Sequence, residues 1–343
     1  PVIAAVAASV PRKQLLLASL AIFVAANLLT AAAPSFAFAL AMRVLAGLGA
    51  AMFAPTATGT AAMLVPPERR GFALSVVIAG LTGATALGSP IGTVIGGFGD
   101  WRWTMVFVAA LATAAGTGVA VLLSEVPQPP QIRLGQRLAP LADGRVGWTL
   151  LATLLGQAGN FIIYTYFVVV FDRVIGGSTA TLGVLLVLWG SAGTVMNLLA
   201  GRFSDAIGTR KVLATMFIVL AVDMALMRWT GAHLWTGLAA IVAFGAFGWG
   251  FLVPQQHRLV QLAPATAPVV LGLNTAATYL GVSAAGLLGA AGIQALGAHR
   301  LGFISAALMV LALMASEYAS WRIALGTRQA KGGAYRAEHC GTQ

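Results

Sequence analysis

The chain has 343 residues, of which 59% are hydrophobic and 8% are charged, and its formal net charge is +11. A soluble domain needs a polar exterior and carries about 25% charged residues. The composition therefore excludes a soluble globular protein and indicates a helical protein that spans a membrane many times.

Apolar runs of about 20 residues or more, the length that crosses a bilayer as a helix, follow one another along the whole chain. A half span is predicted at residues 1–10. Full spans are predicted at 14–33, 36–65, 71–97, 103–124, 146–171, 178–200, 212–229, 234–256, 269–296 and 301–321. Strands of a membrane barrel would alternate polar and apolar residues. The predicted fold class is therefore all-α integral membrane.

One polar stretch, residues 125–145, is rich in Pro and Gln and predicts a linker between two helical halves. The predicted domains are an N-terminal bundle at 1–124, this linker, a C-terminal bundle at 146–322 and a tail at 323–343. Lys and Arg concentrate in alternate loops, and positive loops stay in the cytoplasm. The linker and the tail of this multi-pass membrane protein are therefore predicted to be cytoplasmic.

The positive charge is explained by this topology and by anionic lipid rather than by nucleic acid. A single Cys and four scattered His give no disulfide framework and no metal-ligand spacing. The sequence has no Gly-Lys-Ser/Thr phosphate loop and no cluster of catalytic side chains, so neither an ATP-driven pump nor an enzyme is indicated. An ion gradient is the expected energy source, with no cofactor. The expected partners are a small-molecule cargo and the lipid bilayer, and the expected state is a monomer.

The two halves repeat each other. Three pairs of residues share one separation along the chain: Arg12-Lys13 with Arg210-Lys211, Pro66 with Pro264, and Gly88 with Gly286. Each match lies at the same place in the span order, which indicates a tandem duplication. Mapping the second half onto the first predicts that about fifty residues, holding span 1 and the start of span 2, precede residue 1. On this numbering the run at 14–33 is span 3.

The loop between spans 8 and 9, GRFSDAIGTRK, places a carboxylate at a helix end and basic residues beyond a tight turn. Such groups make a breakable charge contact between neighbouring helices. The loop resembles the G-x-x-x-D-x-x-G-x-R-K loop of the major facilitator superfamily, whose twelve spans form two six-helix bundles. The resemblance implies a cytoplasmic gate at Gly201, Asp205, Gly208, Arg210 and Lys211. Arg12 and Lys13 repeat the basic pair in the first half, where Ala8 replaces the usual Asp.

Span 5, GATALGSPIGTVIGG, resembles the antiporter motif of this superfamily. The matching residues are Gly83, Gly88, Pro90, Gly92, Gly96 and Gly97. Ser89 stands where a Gly commonly precedes the Pro. Gly at four-residue spacing flattens a helix face for close packing, and Pro bends the helix. A packing face alone is the alternative interpretation, but the resemblance favours proton-driven exchange.

Span 4, MRVLAGLGAA, resembles the family pattern R-x-x-x-G-x-G at Arg43, Gly47 and Gly49. Arg43 is the only charged residue between Lys13 and Glu68. One interpretation is that its side chain snorkels to the outer interface. The favoured interpretation is that it faces a central cavity and couples to protons by competing for a carboxylate. That carboxylate would lie on span 1, or an acidic or polar cargo would take its place.

Polar or aromatic residues of the spans expected to line the cavity are candidate cargo contacts: Gln157, Asn160, Tyr164, Asn197, Gln255, Asn274 and Tyr279. A buried amide in lipid marks either interhelical hydrogen bonding or a binding site, and both interpretations stay open. The first three residues form an i, i+3, i+7 stripe on span 7. Asp223, in the middle of span 9, is expected to have a local helix partner rather than to carry a transported proton.

The stretch VPQQHRLVQLAP at 253–264 resembles the arabinose-efflux-permease and chloramphenicol-resistance branch of the superfamily. The resemblance implies proton-coupled efflux of small organic molecules such as drugs, sugars or related metabolites. The alternative is a proton-coupled symporter that imports a sugar or metabolite, which shares the fold but lacks the antiporter motif.

Overall fold

A computed structural model describes residues 10–66, 69, 73, 76–77, 80, 83–97, 99–124, 135 and 139–340. The regular structure of these residues is helical throughout. Nine segments of the described chain are long and apolar enough to cross a membrane. The predicted all-α integral membrane fold is thereby confirmed.

The chain divides into two compact units, Pro1–Leu134 and Gly135–Gln343. The division falls inside the polar stretch for which a linker is predicted, residues 125–145. Most of that stretch, nearly all of the half span at 1–10 and part of the span predicted at 71–97 lie outside the described residues.

The first unit begins with a hairpin of helices α1 (Arg12–Ala31) and α2 (Phe36–Met63). Ser35 starts α2, because its side chain accepts a hydrogen bond from the Phe38 amide at 3.3 Å. A π-helical segment (Ala84–Gly88) leads into α3 (Ser89–Gly97), and α4 (Arg102–Leu122) follows. Helix α1 packs against both α2 and α4. These helices correspond to predicted spans 3 to 6.

The second unit carries predicted spans 7 to 12. Its helices are α5 (Gly144–Thr165), α6 (Phe167–Val170), α7 (Asp172–Ile175), α8 (Thr179–Ile207), α9 (Thr209–Thr230), α10 (Leu234–Gly250), α11 (Leu252–Leu262), α12 (Ala267–Leu296) and α13 (Leu301–Cys340). Span 10, predicted as one helix, is broken between α10 and α11. Pro254 explains the break, since its ring nitrogen cannot donate to the Gly250 carbonyl four residues earlier.

Helix α5 is the centre of the second unit, where it contacts α12 and α13 most extensively. Of the span windows compared, that of α5 is the most buried, at 67%. Glycines let its neighbours approach: a Cβ at Gly156 would lie 3.0 Å from the Phe217 ring, and one at Gly159 would lie 3.0 Å from the Ser305 carbonyl oxygen. Small residues allow close helix contact where lipid offers no hydrophobic driving force.

Gly245 of α10 offers a test of this packing. A Cβ there would overlap the backbone of Trp189 on α8, so Gly245→Ala forces two helices apart. We expect a loss of about 1–3 kcal/mol, the usual cost of overpacking, measured as a lower thermal unfolding temperature in detergent. The matched control is Gly183→Ala on α8, where a Cβ meets nothing within 4 Å. Equal unfolding temperatures for the two variants would contradict the close contact between α8 and α10.

Candidate functional site

Arg43 makes a hydrogen bond within the helical hairpin of the first unit. Its Nη2 donates to Oδ1 of Asn27 on α1 at 2.7 Å. Asn27 is fully buried, and its own Nδ2 donates to the Phe23 carbonyl at 2.7 Å. A guanidinium has five N–H donors, and the Arg43 side chain as a whole is exposed in its unit. A neutral amide therefore orients the arginine without neutralising its charge.

Asn27 is absent from the residues selected from the sequence. The available signal is that it is an amide in an apolar helix, 16 residues before Arg43 on the other arm of the hairpin. The rotation of α1 about its axis decides whether these two side chains meet, and periodicity alone does not supply that rotation.

The basic pair of the first half lies at the start of α1. Nη1 of Arg12 contacts the Thr60 hydroxyl at 3.4 Å near the end of α2. The guanidinium lies over Gly59, where a Cβ would be 2.8 Å from Nη1. Arg12 thus has a hydroxyl partner here, and no ion pair involves Lys13 in the part of the chain that the structure describes.

The loop between spans 8 and 9 turns at Gly208, whose φ of +89° is in the region that favours glycine. Beyond the turn, Arg210 forms an ion pair with Glu317 of α13, with Nη2–Oε2 2.6 Å and Nε–Oε2 2.9 Å. Asp205 is exposed at the end of α8, and none of the ion pairs of the described residues includes it. Lys211 is also exposed, and a Cβ at Gly201 would meet nothing within 4 Å.

A second arginine joins the same end of the bundle. Arg258 of α11 is buried, and its Nη1 donates to both the carbonyl and the hydroxyl of Ser316, each at 3.1 Å. Ser316 and Glu317 are neighbours on α13, so the two arginines tie α9 and α11 to one point of α13. Glu317 and Ser316 are absent from the sequence-selected residues, because their role depends on which face of span 12 meets span 9.

The glycines of the antiporter motif in span 5 fall into two groups, those that pack against α4 and those that have open space beside them in the described part of the chain. Gly92 and Gly96 pack on Thr104 of α4. A Cβ at Gly92 would lie 3.3 Å from the Thr104 side chain, and a Cβ at Gly96 would lie 3.4 Å from it. The Thr104 hydroxyl also donates to the Gly92 carbonyl at 3.1 Å. A Cβ at Gly83 or Gly88 would meet no described atom within 4 Å.

The helix changes character next to the proline of this motif. The π-helical segment Ala84–Gly88 ends two residues before Pro90, and Gly97 is the last residue of α3. Proline removes a backbone donor and disturbs the preceding turn, and single π turns are frequent at functional sites.

Gly88 and Gly92 separate the two interpretations of the motif. We expect Gly92→Leu to lower the thermal unfolding temperature, because the new side chain must displace Thr104. We expect Gly88→Leu to insert and fold normally but to lose efflux, since Gly88 serves exchange rather than packing inside its unit. Membrane insertion, unfolding temperature and efflux are measured for both. Wild-type efflux in Gly88→Leu would reduce the motif to a packing face.

The stripe on span 7 is buried within the second unit. Gln157 and Asn160 are almost completely enclosed, and Tyr164 is half-buried. Among the described residues, both polar atoms of the Asn160 side chain and Oε1 of Gln157 have no hydrogen-bond partner. Asn160 lies against Gly248 of α10, and the Tyr164 ring stacks on Trp189 of α8 with centroids 4.5 Å apart. These side chains therefore meet residues of two other helices.

The remaining cargo candidates behave differently from this stripe. Asn274 accepts a hydrogen bond from the Thr153 hydroxyl at 2.8 Å, and Nε2 of Gln255 donates to the Thr149 carbonyl at 3.4 Å. Asn274 thus joins α12 to α5, and Gln255 joins α11 to α5. For these two amides the structure favours interhelical hydrogen bonding over a binding site. Asn197 is half-buried and Tyr279 is exposed. Asp223 is half-buried, and one of its carboxylate oxygens, Oδ2, is buried without a partner among the described residues.

A hydrogen bond between Asp172 and His299 joins the turns at one end of the second unit. Oδ1 of Asp172 on α7 accepts a hydrogen bond from Nε2 of His299 at 2.8 Å. This bond, with a smaller contribution from the Arg173 backbone amide, lowers the pKa of Asp172 below its usual value. Asp172 therefore stays ionised as the pH falls, and the contact ties α7 to the turn before α13.

Apolar helices with few internal charges, and with amides and aromatic rings enclosed between them, define a polytopic helical membrane protein. The family model described as Major Facilitator Superfamily matches residues 1–195. The chain belongs to the Major Facilitator Superfamily. It is a transporter and not an enzyme.

Similar proteins have been described in several bacteria. The uncharacterized MFS-type transporter YtbD of Bacillus subtilis is 28% identical over 319 residues, covering 92% of this chain and 80% of YtbD. A chloramphenicol efflux pump of Mycobacterium tuberculosis is 30% identical over 292 residues, covering 81% of this chain and 70% of the pump. The chloramphenicol resistance protein of Streptomyces lividans is 36% identical over 217 residues, which cover 60% of this chain and 53% of that protein.

Proposed function

We propose that this transporter exports small organic molecules in exchange for protons by alternating access. The observation that carries the direction of transport is the Gly and Pro pattern of span 5, from Gly83 to Gly97, with Gly88 open and Gly92 packed. The chloramphenicol export and resistance named for two relatives support the same direction. The proposed setting is a bacterial inner membrane, with the linker and the C-terminus in the cytoplasm, as the distribution of Lys and Arg favours.

Arg43 is the group that we propose for coupling. Its amide partner Asn27 fixes the direction of the guanidinium but leaves its charge uncompensated. A permanent positive charge stabilises a nearby carboxylate in its ionised form and so competes with a proton for it. Cargo that donates a hydrogen bond to this ionised carboxylate would compete with the proton for the same group. Proton binding and cargo binding would then exclude each other, which is what exchange requires.

Drug susceptibility of an efflux-deficient bacterial host tests the export direction. We expect the full-length protein to raise the inhibitory concentration of chloramphenicol several-fold and to lower the cell content of labelled drug. An uncoupler that collapses the proton gradient should abolish both effects. Unchanged susceptibility together with unchanged drug content would contradict export of this cargo, and uncoupler-sensitive accumulation of the drug would indicate a symporter instead.

A further inference from the structure

Five aromatic side chains of the second unit form one continuous cluster. Phe161 and Tyr164 lie on α5, Trp189 on α8, and Phe244 and Trp249 on α10. Trp189 is at the centre, with ring centroids 4.5 Å from Tyr164, 5.7 Å from Trp249 and 5.9 Å from Phe244. Phe161 joins its edge, 5.5 Å from Tyr164 and 6.3 Å from Trp249. We call this set the aromatic cluster.

The backbone brings these rings together through glycines of α8 and α10. A Cβ at Gly193 would lie 2.6 Å from Cδ1 of Trp249 and 3.0 Å from the Gly245 carbonyl oxygen. Gly248 receives the side chain of Asn160. Three helices thus converge, with Trp189 almost fully buried behind Phe161, Tyr164 and Trp249, which are partly exposed. Trp189 therefore forms the enclosed side of the cluster, and those three rings form a partly accessible side.

Buried polar atoms of the helices that carry the cluster have no partner among the described residues. They are the indole Nε1 atoms of Trp189 and Trp249, both side-chain atoms of Asn160, and Oε1 of Gln157. A buried polar group without a hydrogen bond is costly in an apolar environment. An indole N–H donates only, whereas an amide both donates and accepts. The unused groups therefore match a molecule that carries acceptors as well as donors.

The helices that carry the aromatic cluster place little negative charge near it. Helices α5 and α10 contain no Asp or Glu, and the only acidic residue of α8 is Asp205. Asp205 lies 16 positions beyond Trp189, which is about 24 Å along a helix. A cationic ligand would find no carboxylate of these three helices next to the rings to balance its charge, although the ring faces themselves attract cations, so charge balance favours an uncharged ligand.

We propose that the aromatic cluster, with Asn160 and Gln157, binds cargo that is uncharged, aromatic and equipped with both hydrogen-bond acceptors and donors. This assignment rests on the proposed export function, because it names the class of cargo for it. Trp189 and Trp249 are specificity-determining residues on this basis: their rings stack on the cargo and their N–H groups select for acceptors. Stacking alone would accept any flat molecule.

Equilibrium dialysis of labelled chloramphenicol against the full-length protein in detergent, without a proton gradient, tests the assignment. Chloramphenicol is uncharged and carries a nitrophenyl ring, an amide and hydroxyls. We expect Trp249→Phe and Trp189→Phe, which keep a ring but lose the N–H, to raise its Kd about tenfold each, the effect of one hydrogen bond. Asn160→Leu, which removes both unused amide atoms, should weaken binding at least as much. The control is Trp235→Phe on α10, whose ring is 80% exposed.

The second probe is tetraphenylphosphonium, an aromatic cation without acceptors. We expect it to bind at least tenfold more weakly than chloramphenicol and to be unaffected by the two tryptophan substitutions. Three results would overturn the assignment: no binding of chloramphenicol to the wild type, an unchanged Kd in Trp249→Phe, or equal binding of the cation. Trp249 is partly exposed, so its substitution stays informative if Trp189→Phe does not fold.

Binding without a gradient separates this assignment from the export proposal. If chloramphenicol binds with the expected tryptophan dependence but is not exchanged for protons, the assignment stands and the export proposal fails. If efflux persists at the wild-type rate in Trp249→Phe, the export proposal stands and the assignment fails.

Discussion

Replacing Arg43 with alanine is expected to reduce proton-driven efflux at least about tenfold, since a charge-assisted contact is worth 1.5–3 kcal/mol. Arg43→Lys should recover part of the rate, because lysine keeps the charge but lacks the fork of donors that holds both Asn27 and a second partner. Efflux is measured in vesicles at several pH values from about pH 6 to pH 8, on either side of neutrality.

Asn27 sharpens this test, because it is the observed partner of the guanidinium. Asn27→Asp places a carboxylate in contact with Arg43 and should lock the arginine in an ion pair, so that efflux falls although the charge is still present. Asn27→Leu should free the arginine and cause a smaller defect. The control is Arg228→Ala on α9, where the guanidinium lies over the exposed Trp229 ring at 5.9 Å. Wild-type efflux in Arg43→Ala across this pH range would make the arginine an interfacial anchor.

Reversing the charge of either Arg210 or Glu317 is expected to reduce transport to about a tenth or less, because each change replaces an attraction by a repulsion. The double exchange Arg210→Glu with Glu317→Arg should restore most of the rate. Their side chains are 67% and 33% exposed, so the pair contributes at most about 1 kcal/mol to stability. We therefore expect small changes in the unfolding temperature and large changes in the rate, as for a contact that forms and breaks during the transport cycle.

Asp205→Asn is the companion variant for this pair. Asp205 matches the family loop but takes part in none of the ion pairs of the described residues. A role for its charge in the gate would therefore require a different conformation from the one described. A transport defect without a change in unfolding temperature would support that role. If the single variants at Arg210 and Glu317 are impaired and the double exchange is not rescued, the ion pair is not the gate.

The helices themselves follow from the sequence. Hydropathy alone places the apolar segments. The turn at Gly208 is predicted from the position of this glycine in the loop GRFSDAIGTRK, and its φ of +89° lies in the region that favours glycine. Span boundaries are less exact, because hydropathy does not register backbone effects. Pro254 divides span 10 at Gly250, and α13 continues beyond the predicted end of span 12 to Cys340.

The partners of the polar residues do not follow from the sequence. Arg43 and Arg210 are both conspicuous in the chain, but Asn27 and Glu317 become their partners only through the rotation and depth of neighbouring helices. The amides show the same limit: Asn160 and Asn274 look alike in the sequence, yet Asn274 bonds Thr153 while Asn160 has no described partner. Helix packing decides which amide bonds a neighbouring helix and which has no hydrogen-bond partner within the described residues.

Reconstitution of the full-length protein into liposomes tests proton-coupled export most directly. An imposed pH gradient drives the reaction, while labelled chloramphenicol and a lumenal pH indicator are followed together. We expect drug to accumulate in the acidic compartment while protons leave it, with both fluxes lost in Arg43→Ala and when an ionophore removes the gradient. Drug movement that is independent of the pH gradient, or that runs in the same direction as the protons, would contradict exchange.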